Sequence, residues 1–150
     1  MRQPVVMPTD FSARSAGALE WARKMADALD APLHCVYVAP EPRLYSSLDL
    51  VSNLAVSKEE MKQLADKEMQ QFATNYRLGS TVKTVVLQGT PFVEIIRYAR
   101  DQNAAVIVIS THGYSGLKHM LLGSTTESVV RKATCPVLSV PSPDVWFELP

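Results

Sequence analysis

Short apolar runs alternate with amphipathic stretches along the whole chain. Five of these runs are rich in β-branched residues and too short for helices, so they predict buried strands. The predicted strands cover residues 5–7, 33–38, 82–87, 104–109 and 136–140, with four helices between them. Because strands alternate with helices, the pattern indicates an α/β, Rossmann-like fold. It predicts a single doubly wound five-stranded parallel sheet of order 3-2-1-4-5, with helices on both faces.

Local signals refine the helix boundaries. The S-x-x-E spacings that start at Ser57 and Ser124 predict capping boxes, and Gly79 is predicted near the C′ position of the second helix. Residues 41–56 are too apolar for a solvated linker, so we expect a lid or a short irregular helix there. Helical spacing predicts inward stripes of Ala18, Leu19, Ala22, Met25, Ala26 and Leu29 on the first helix, and of Met61, Leu64, Ala65, Phe72 and Tyr76 on the second.

Composition and charge argue against several classes of partner and indicate a cellular compartment. A chain of 150 residues makes one domain of ordinary size, in which residues 142–150 are expected to form a tail. The net charge is zero and no run of Lys or Arg exceeds two residues, so we expect neither nucleic acid nor a membrane surface as a partner. No stretch reaches transmembrane length, and the first residues do not resemble a signal peptide. Cys35 and Cys135 lack metal spacing and indicate a reducing compartment, so a cytoplasmic location is expected.

A glycine-bearing loop joins the fourth strand to the last helix, and positions 110–126 read STHGYSGLKHMLLGSTT. Its glycines are Gly113, Gly116 and Gly123. A strand, such a loop and a helix start can bind phosphate, because the backbone approaches the ligand and the first helical N–H groups point outward. Ser124 and Thr125 add hydroxyl donors at that end. The same residues also suit turn geometry alone, so the loop by itself leaves both interpretations open.

Asp10 and Ser110 are expected to flank one crevice. In a doubly wound sheet, ligands lie outside the carboxyl ends of the strands, where the winding direction reverses. Asp10 follows the first strand and Ser110 follows the fourth, and these strands are neighbours in the predicted order. This convergence favours anion or nucleotide binding. The alternative for Asp10 is a cap on the first helix, and for His112 a hydrogen bond within its loop rather than contact with a phosphate.

Several motifs resemble those of the universal stress protein family, in order across nearly the whole chain. That family carries G-x2-G-x9-G-[ST] at its last strand-to-helix loop. Here the pattern is S-x2-G-x9-G-S, starting at Ser110, with serine in place of the first glycine. The sequence P-T-D-F-S at positions 8–12 is similar to the first-strand signature of the family, and C-P-V-L-S-V at positions 135–140 is similar to its closing strand.

The resemblance implies a domain that binds ATP, with Mg²⁺ held mainly by the phosphates. It implies a nucleoside contact for Asp10 and a backbone contact to adenine at the end of the second strand. The implied nucleotide site consists of Pro8, Thr9, Asp10, Tyr37, Val38, Ile109, Ser110, His112, Gly113, Gly116, Gly123, Ser124, Thr125 and Thr126. Family members dimerise through the last strand, so the resemblance also implies a homodimer through the strand from Pro136 to Val140.

A binding module and an enzyme are both compatible with this fold. No Ser-His-acid grouping is legible, no histidine pair has metal-ligand spacing, and Lys118 lacks the Gly-Lys-Ser/Thr context of a P-loop. We therefore predict no catalytic and no metal-binding residue. The sequence favours a nucleotide-binding stress-response or signalling protein. The alternatives are a slow nucleotide hydrolase and a family member that no longer binds ATP and acts as a dimeric interaction protein.

Overall fold

A computed structural model describes residues 2–40, 57–111 and 122–142, and the statements below concern these ranges. The strands are β1 (Val5–Pro8), β2 (Leu33–Ala39), β3 (Lys83–Gln88), β4 (Val106–Ser110) and β5 (Val137–Val140). The helices are α1 (Ala13–Ala16), α2 (Leu19–Ala28), α3 (Lys58–Asn75), α4 (Pro91–Asp101) and α5 (Ser124–Lys132). The lid or helix expected over residues 41–56 and the tail beyond residue 142 lie outside the described residues.

The five strands form one parallel sheet in the order β3-β2-β1-β4-β5, which confirms the predicted doubly wound fold. β1 lies in the middle, and its residue Val6 is paired with His34 of β2 and with Ile107 of β4. Both β1 and β4 are buried along their whole length. This burial follows from helices on both faces of the sheet, which require continuous apolar runs in the central strands.

Two apolar clusters pack on the two faces of the sheet. One contains Met7 and Val108 together with residues of α1, α2 and α3. The other contains Val6 and Ile107 together with residues of α4 and α5. Met7 and Ile107 are fully buried, and burial of such a side chain contributes about 1.5–3 kcal/mol to the free energy of unfolding. The packing therefore holds β1 firmly beside β4 and brings together the two segments that follow them.

The prediction of a single first helix is wrong, because the segment is split into α1 and α2. α1 begins after Ser12, whose hydroxyl accepts a hydrogen bond from the Ser15 N–H (3.0 Å). It ends at Gly17, and a turn over Gly17 and Ala18 precedes α2. Glycine is about 1 kcal/mol less favourable than alanine inside a helix, which accounts for the break. The described ranges thus hold five helices instead of four.

Two leucines that were predicted to face inward are exposed. Leu29 is 48% exposed at the C-cap of α2, and Leu64 is 59% exposed on α3. The buried residues of α3 are Ala65, Met69 and Phe72, whose spacings of four and three residues describe one helical face. Leu64 precedes Ala65 and therefore lies about 100° around the helix from it, so the predicted stripe was placed partly off the core.

The helix ends agree with the prediction in one place and differ in two. Ser57 forms the predicted capping box at the start of α3. The box predicted at Ser124 is wrong, because the N-cap of α5 is Gly123. The left-handed residue directly after the C-cap of α3 is Arg77 (φ 48°), while Gly79 (φ 78°) lies in the turn beyond it. The hydrogen bonds around Arg77 form a Schellman motif, which demands the left-handed residue at that position.

Candidate functional site

A cleft lies at the carboxyl ends of β1, β2 and β4, where the winding of the sheet reverses. The loop after β1 and the first turns of α4 and α5 complete its walls. Its lining consists of Pro8, Thr9, Asp10, Ser15, Val36, Tyr37, Val38, Pro91, Ile95, Ile109, Ser110, Gly123, Ser124, Thr125 and Thr126. The space measures about 160 Å³, less than the roughly 300–1,000 Å³ of sites that enclose a whole drug-sized ligand. The space between the described lining residues is therefore smaller than such a ligand.

The cleft brings together every predicted site residue that lies in the described ranges. These residues are Pro8, Thr9, Asp10, Tyr37, Val38, Ile109, Ser110, Gly123, Ser124, Thr125 and Thr126. The other three, His112, Gly113 and Gly116, fall outside the described residues. Whether these side chains bind a ligand stays a prediction, but their convergence is a property of the fold.

Four lining residues were not predicted: Ser15, Val36, Pro91 and Ile95. Val36 lies two positions before Val38 on the same face of β2, so the period of a strand could have found it. Pro91 and Ile95 belong to the first turns of α4, which covers this face of the sheet. Ser15 follows Ser12 by three residues. This spacing brings the two side chains together only because α1 forms a helical turn there, so the sequence alone did not identify Ser15 as a lining residue.

The amino end of α5 lines the cleft and is fastened to the end of β4. The Gly123 N–H donates to the Thr111 carbonyl oxygen (2.8 Å), and the Thr126 hydroxyl donates to the Ser110 carbonyl oxygen (2.8 Å). Gly123 has an extended backbone and no side chain that could cap the helix. The N–H groups of residues 124–126 therefore have no acceptor within the helix. Together with the partial positive charge of a helix amino terminus, they favour an anion such as phosphate.

A hydrogen-bond network holds the loop that follows β1. Oδ1 of Asp10 accepts hydrogen bonds from the N–H (3.0 Å) and the hydroxyl of Ser12. Ser12 itself is the N-cap of α1, so the alternative in which Asp10 caps the first helix is wrong. Phe11, between them, has a φ of 66°. This left-handed conformation is uncommon for residues other than glycine and is concentrated at functional sites.

Tyr37 joins the cleft to the aromatic residues on the α3 side of the sheet. Its ring centroid lies 4.2 Å from that of Phe11, which in turn lies 5.7 Å from that of Phe72. Burial raises the pKa of Tyr37, and the nearby carboxylates of Glu68 and Asp10 raise it further. Tyr37 therefore carries a neutral hydroxyl at physiological pH, while its ring belongs to the packed cluster.

The described residues hold little of the chemistry that catalysis or metal binding needs. Within these ranges, no group of three or more His, Cys, Asp or Glu side chains could hold a metal ion. Burial raises the pKa of the Cys35 thiol to about 12 and also raises that of Cys135. Both are free cysteines that stay protonated at neutral pH and are therefore poor nucleophiles. Over the same part of the chain, no helix is long and apolar enough to cross a membrane.

Comparison with known proteins relates this geometry to one family. The model of the universal stress protein family matches residues 1–141. The universal stress protein MJ0531 of Methanocaldococcus jannaschii is 35% identical over 144 residues, which cover 93% of this chain and 82% of that protein.

Solved structures share the architecture. The hypothetical protein MJ0577 of Methanocaldococcus jannaschii superposes with a TM-score of 0.72 at 29% identity, over 96% of this chain and 99% of that one. A universal stress protein from Archaeoglobus fulgidus in complex with dAMP gives a TM-score of 0.63 at 21% identity, over 91% and 96% of the two chains. At that identity the second similarity is one of fold alone.

Proposed function

Because this chain belongs to the universal stress protein family, we propose that it binds an adenine nucleotide in the cleft between Asp10 and the amino end of α5. One observation carries the proposal: β1 and β4 are neighbours in the sheet, and the residues at their carboxyl ends, Asp10 and Ser110, line the same cleft as the amino end of α5. The cleft therefore combines an anion site with a carboxylate acceptor. A nucleotide matches it, because it carries phosphate at one end and hydrogen-bond donors at the other.

Charge sets the orientation of the nucleotide in this proposal. A phosphate beside Asp10 would be repelled, so the phosphates lie at the amino end of α5 and the nucleoside lies toward Asp10 and the end of β2. Val36, Val38 and Ile109 give this part of the cleft an apolar wall that suits a base. A universal stress protein of the same fold, the one from Archaeoglobus fulgidus, is solved in complex with dAMP, and the membership of this chain in that family makes an adenine nucleotide the ligand we propose.

With ATP as the ligand, we expect Mg²⁺ to be held mainly by the phosphates. Asp10 is the only carboxylate among the described lining residues, and charge places it at the nucleoside end. Mg²⁺ commonly binds through substrate phosphates and water with only one or two protein carboxylates. The residues of the cleft therefore suit a metal that arrives with the nucleotide.

We place this binding module in the cytoplasm, with a role in stress response or signalling. The two free cysteines support a reducing compartment, where thiols stay unpaired. In such a role, the state of the protein would depend on whether a nucleotide is bound.

We also propose that two copies of the chain associate through β5. Within the described residues, β5 pairs with β4 alone and forms one edge of the sheet. Val137 and Leu138 are half-buried, Ser139 is exposed, and Val130 of α5 is 45% exposed. An apolar edge of this kind favours antiparallel pairing with the same strand of a second copy about a two-fold axis.

Isothermal titration calorimetry with ATP, ADP and AMP tests the nucleotide proposal. We expect saturable binding at one site per chain. GTP, which lacks the adenine base, and inorganic triphosphate, which lacks the nucleoside, should both bind more weakly. An absence of heat with all three adenine nucleotides at millimolar concentration would contradict the proposal. A dimer that gives no such heat would instead favour the alternative of an interaction protein that no longer binds ATP.

ATP hydrolysis by the purified protein is expected to be slower than about 1 per second, the lower end of ordinary enzyme rates. The physical reason is that Asp10 is the one carboxylate among the described lining residues, and one of its oxygens already accepts two hydrogen bonds from Ser12, which makes it a poor general base. A phosphate-release assay with MgATP measures the rate. Release at or above that rate would favour the hydrolase alternative over a binding module.

A further inference from the structure

Ser15 lies at the centre of the loop that carries Asp10. It belongs to α1, is 5% exposed and lines the cleft. Its hydroxyl contacts the Ser12 carbonyl oxygen (2.9 Å), the Thr9 hydroxyl (2.9 Å) and, at a longer distance, the Asp10 N–H (3.4 Å). This one side chain therefore joins the end of β1 to the first turn of the following helix.

These contacts determine the direction of the hydrogen bonds in the loop. A carbonyl oxygen can only accept, so the Ser15 hydroxyl proton goes to Ser12. The Thr9 hydroxyl must then donate to the Ser15 oxygen, because Ser15 has no second hydroxyl proton. The Thr9 oxygen is left as an acceptor, and the Phe11 N–H donates to it at 3.0 Å. The left-handed backbone of Phe11 is thus held by a chain of bonds that starts at Ser15.

The same network reaches the Asp10 carboxylate through Ser12. The backbone N–H of Ser15 donates to the Ser12 hydroxyl oxygen (3.0 Å), and the Ser12 hydroxyl donates its own proton to Oδ1 of Asp10. The Ser15 side chain holds the same two residues through the Ser12 carbonyl oxygen (2.9 Å) and the Asp10 N–H (3.4 Å), and these are the bonds that Ser15→Ala removes. The Ser12 N–H donates to the same Oδ1 atom at 3.0 Å. Asp10 is therefore oriented before any ligand arrives. A binding group that is already fixed loses less conformational entropy when the ligand binds.

We propose that Ser15 is a positioning residue of the cleft, which presets the Asp10 carboxylate as an acceptor for hydrogen-bond donors of a nucleoside. The inference rests on the proposed function, since it concerns how the same cleft holds its ligand. If Ser15 acts through Asp10, its contribution to affinity exists only while the Asp10 carboxylate is present. Two residues that act as one unit in this way give non-additive effects in a double-mutant cycle.

The test is a cycle of Ser15→Ala and Asp10→Asn, measured by calorimetry with ATP at a temperature at which all variants are folded. In the presence of Asp10, Ser15→Ala should weaken ATP binding by about tenfold, the upper end of the scale for the loss of one neutral hydrogen bond. In the Asp10→Asn background the same change should alter affinity by less than about twofold. Ser142→Ala is the matched control and should leave affinity unchanged, because Ser142 is buried and outside the described lining of the cleft, and its hydroxyl has no hydrogen-bond partner among the described residues.

Equal losses in the two backgrounds would overturn the proposal, because Ser15 would then act independently of Asp10. Unchanged affinity in Ser15→Ala would overturn it as well. If wild-type protein binds no adenine nucleotide, the proposed function fails, and the positioning role is decided by NMR on the free protein. A positive φ at Phe11 gives a strong cross-peak between its own N–H and Hα. We expect this signal to weaken in Ser15→Ala and to persist in Ser142→Ala, and its persistence in Ser15→Ala would refute the positioning role.

Discussion

A Ser124→Glu variant is expected to bind ATP at least about 100-fold more weakly than the wild type, as measured by calorimetry. Ser124 is the first residue of α5, is exposed and lines the cleft. A glutamate there brings a negative charge to the place where we position the phosphates. Two like charges about 4 Å apart repel by about 4 kcal/mol at an effective dielectric constant of about 20, so about two-thirds of this energy already produces a 100-fold loss.

The same substitution should leave the fold intact. The partial positive charge of a helix amino terminus favours acidic side chains in the first turn, and α5 already carries Glu127 there. We therefore expect the Tm of Ser124→Glu to equal or slightly exceed that of the wild type. A loss of ATP binding without a loss of stability separates charge repulsion from unfolding.

Two controls distinguish repulsion from other causes. Ser80→Glu makes the same change in charge at an exposed turn outside the described lining of the cleft, and it should bind ATP like the wild type. Adenosine lacks phosphate and should bind Ser124→Glu and the wild type equally. Wild-type ATP affinity in Ser124→Glu would contradict a phosphate site at α5. Equal weakening of adenosine would point to a deformed cleft instead of repulsion.

The strand order could be predicted because it depends on features spread over whole segments. A strand that is buried on both faces of a parallel sheet must be apolar at successive positions, and β4 shows this burial throughout. The winding of the sheet then placed Asp10 and Ser110 at one crevice without any knowledge of side-chain contacts. The site was predictable to the extent that topology alone assembles it.

Other features could not be predicted from the sequence, because they depend on which of several nearby residues takes a given role. Gly123 and Ser124 both suit an N-cap, and the choice follows from the hydrogen bond between the Gly123 N–H and Thr111, which pattern analysis does not see. Ser15 was missed for a similar reason, since its role arises from hydrogen bonds that exist only once α1 has formed. Leu64 shows that the prediction of buried helix positions is limited in a similar way. Adjacent residues differ by about 100° around a helix, so an error of one residue moves a side chain from the core to solvent.

The second large effect is expected at the edge of the sheet, where Ser139→Pro should raise the dissociation constant of the proposed dimer by about 30-fold or more. In a parallel strand, alternate residues direct their N–H and C=O groups toward the same neighbour. The Pro136 carbonyl accepts from the Ile107 N–H (3.0 Å) and the Val140 carbonyl accepts from the Thr111 N–H (2.9 Å). Even-numbered residues of β5 therefore face β4, and the Ser139 N–H faces the open edge.

Proline at position 139 removes this outward donor and leaves the hydrogen bonds between β4 and β5 in place. Edge strands tolerate proline in this orientation. Each lost hydrogen bond costs about 1 kcal/mol, and two-fold symmetry doubles the loss, which corresponds to about 30-fold in the dissociation constant before any clash of the ring is counted. Leu138→Pro removes a donor that faces β4, so this contrasting variant should lower the Tm of the chain itself.

Sedimentation equilibrium at micromolar protein concentrations measures the outcome, with Ser139→Ala as the control because it keeps the N–H and loses only the hydroxyl. Wild type and Ser139→Ala should dimerise alike. A Ser139→Pro variant that dimerises as tightly would place the association on another surface, and a monomeric wild type would show that the edge recruits no second copy.

Substitutions of apolar residues such as Val130 cannot make this distinction, because they alter any contact near β5. In the proposed dimer the outward N–H of Ser139 acts as a donor to the partner strand, so its removal tests the proposed ladder directly.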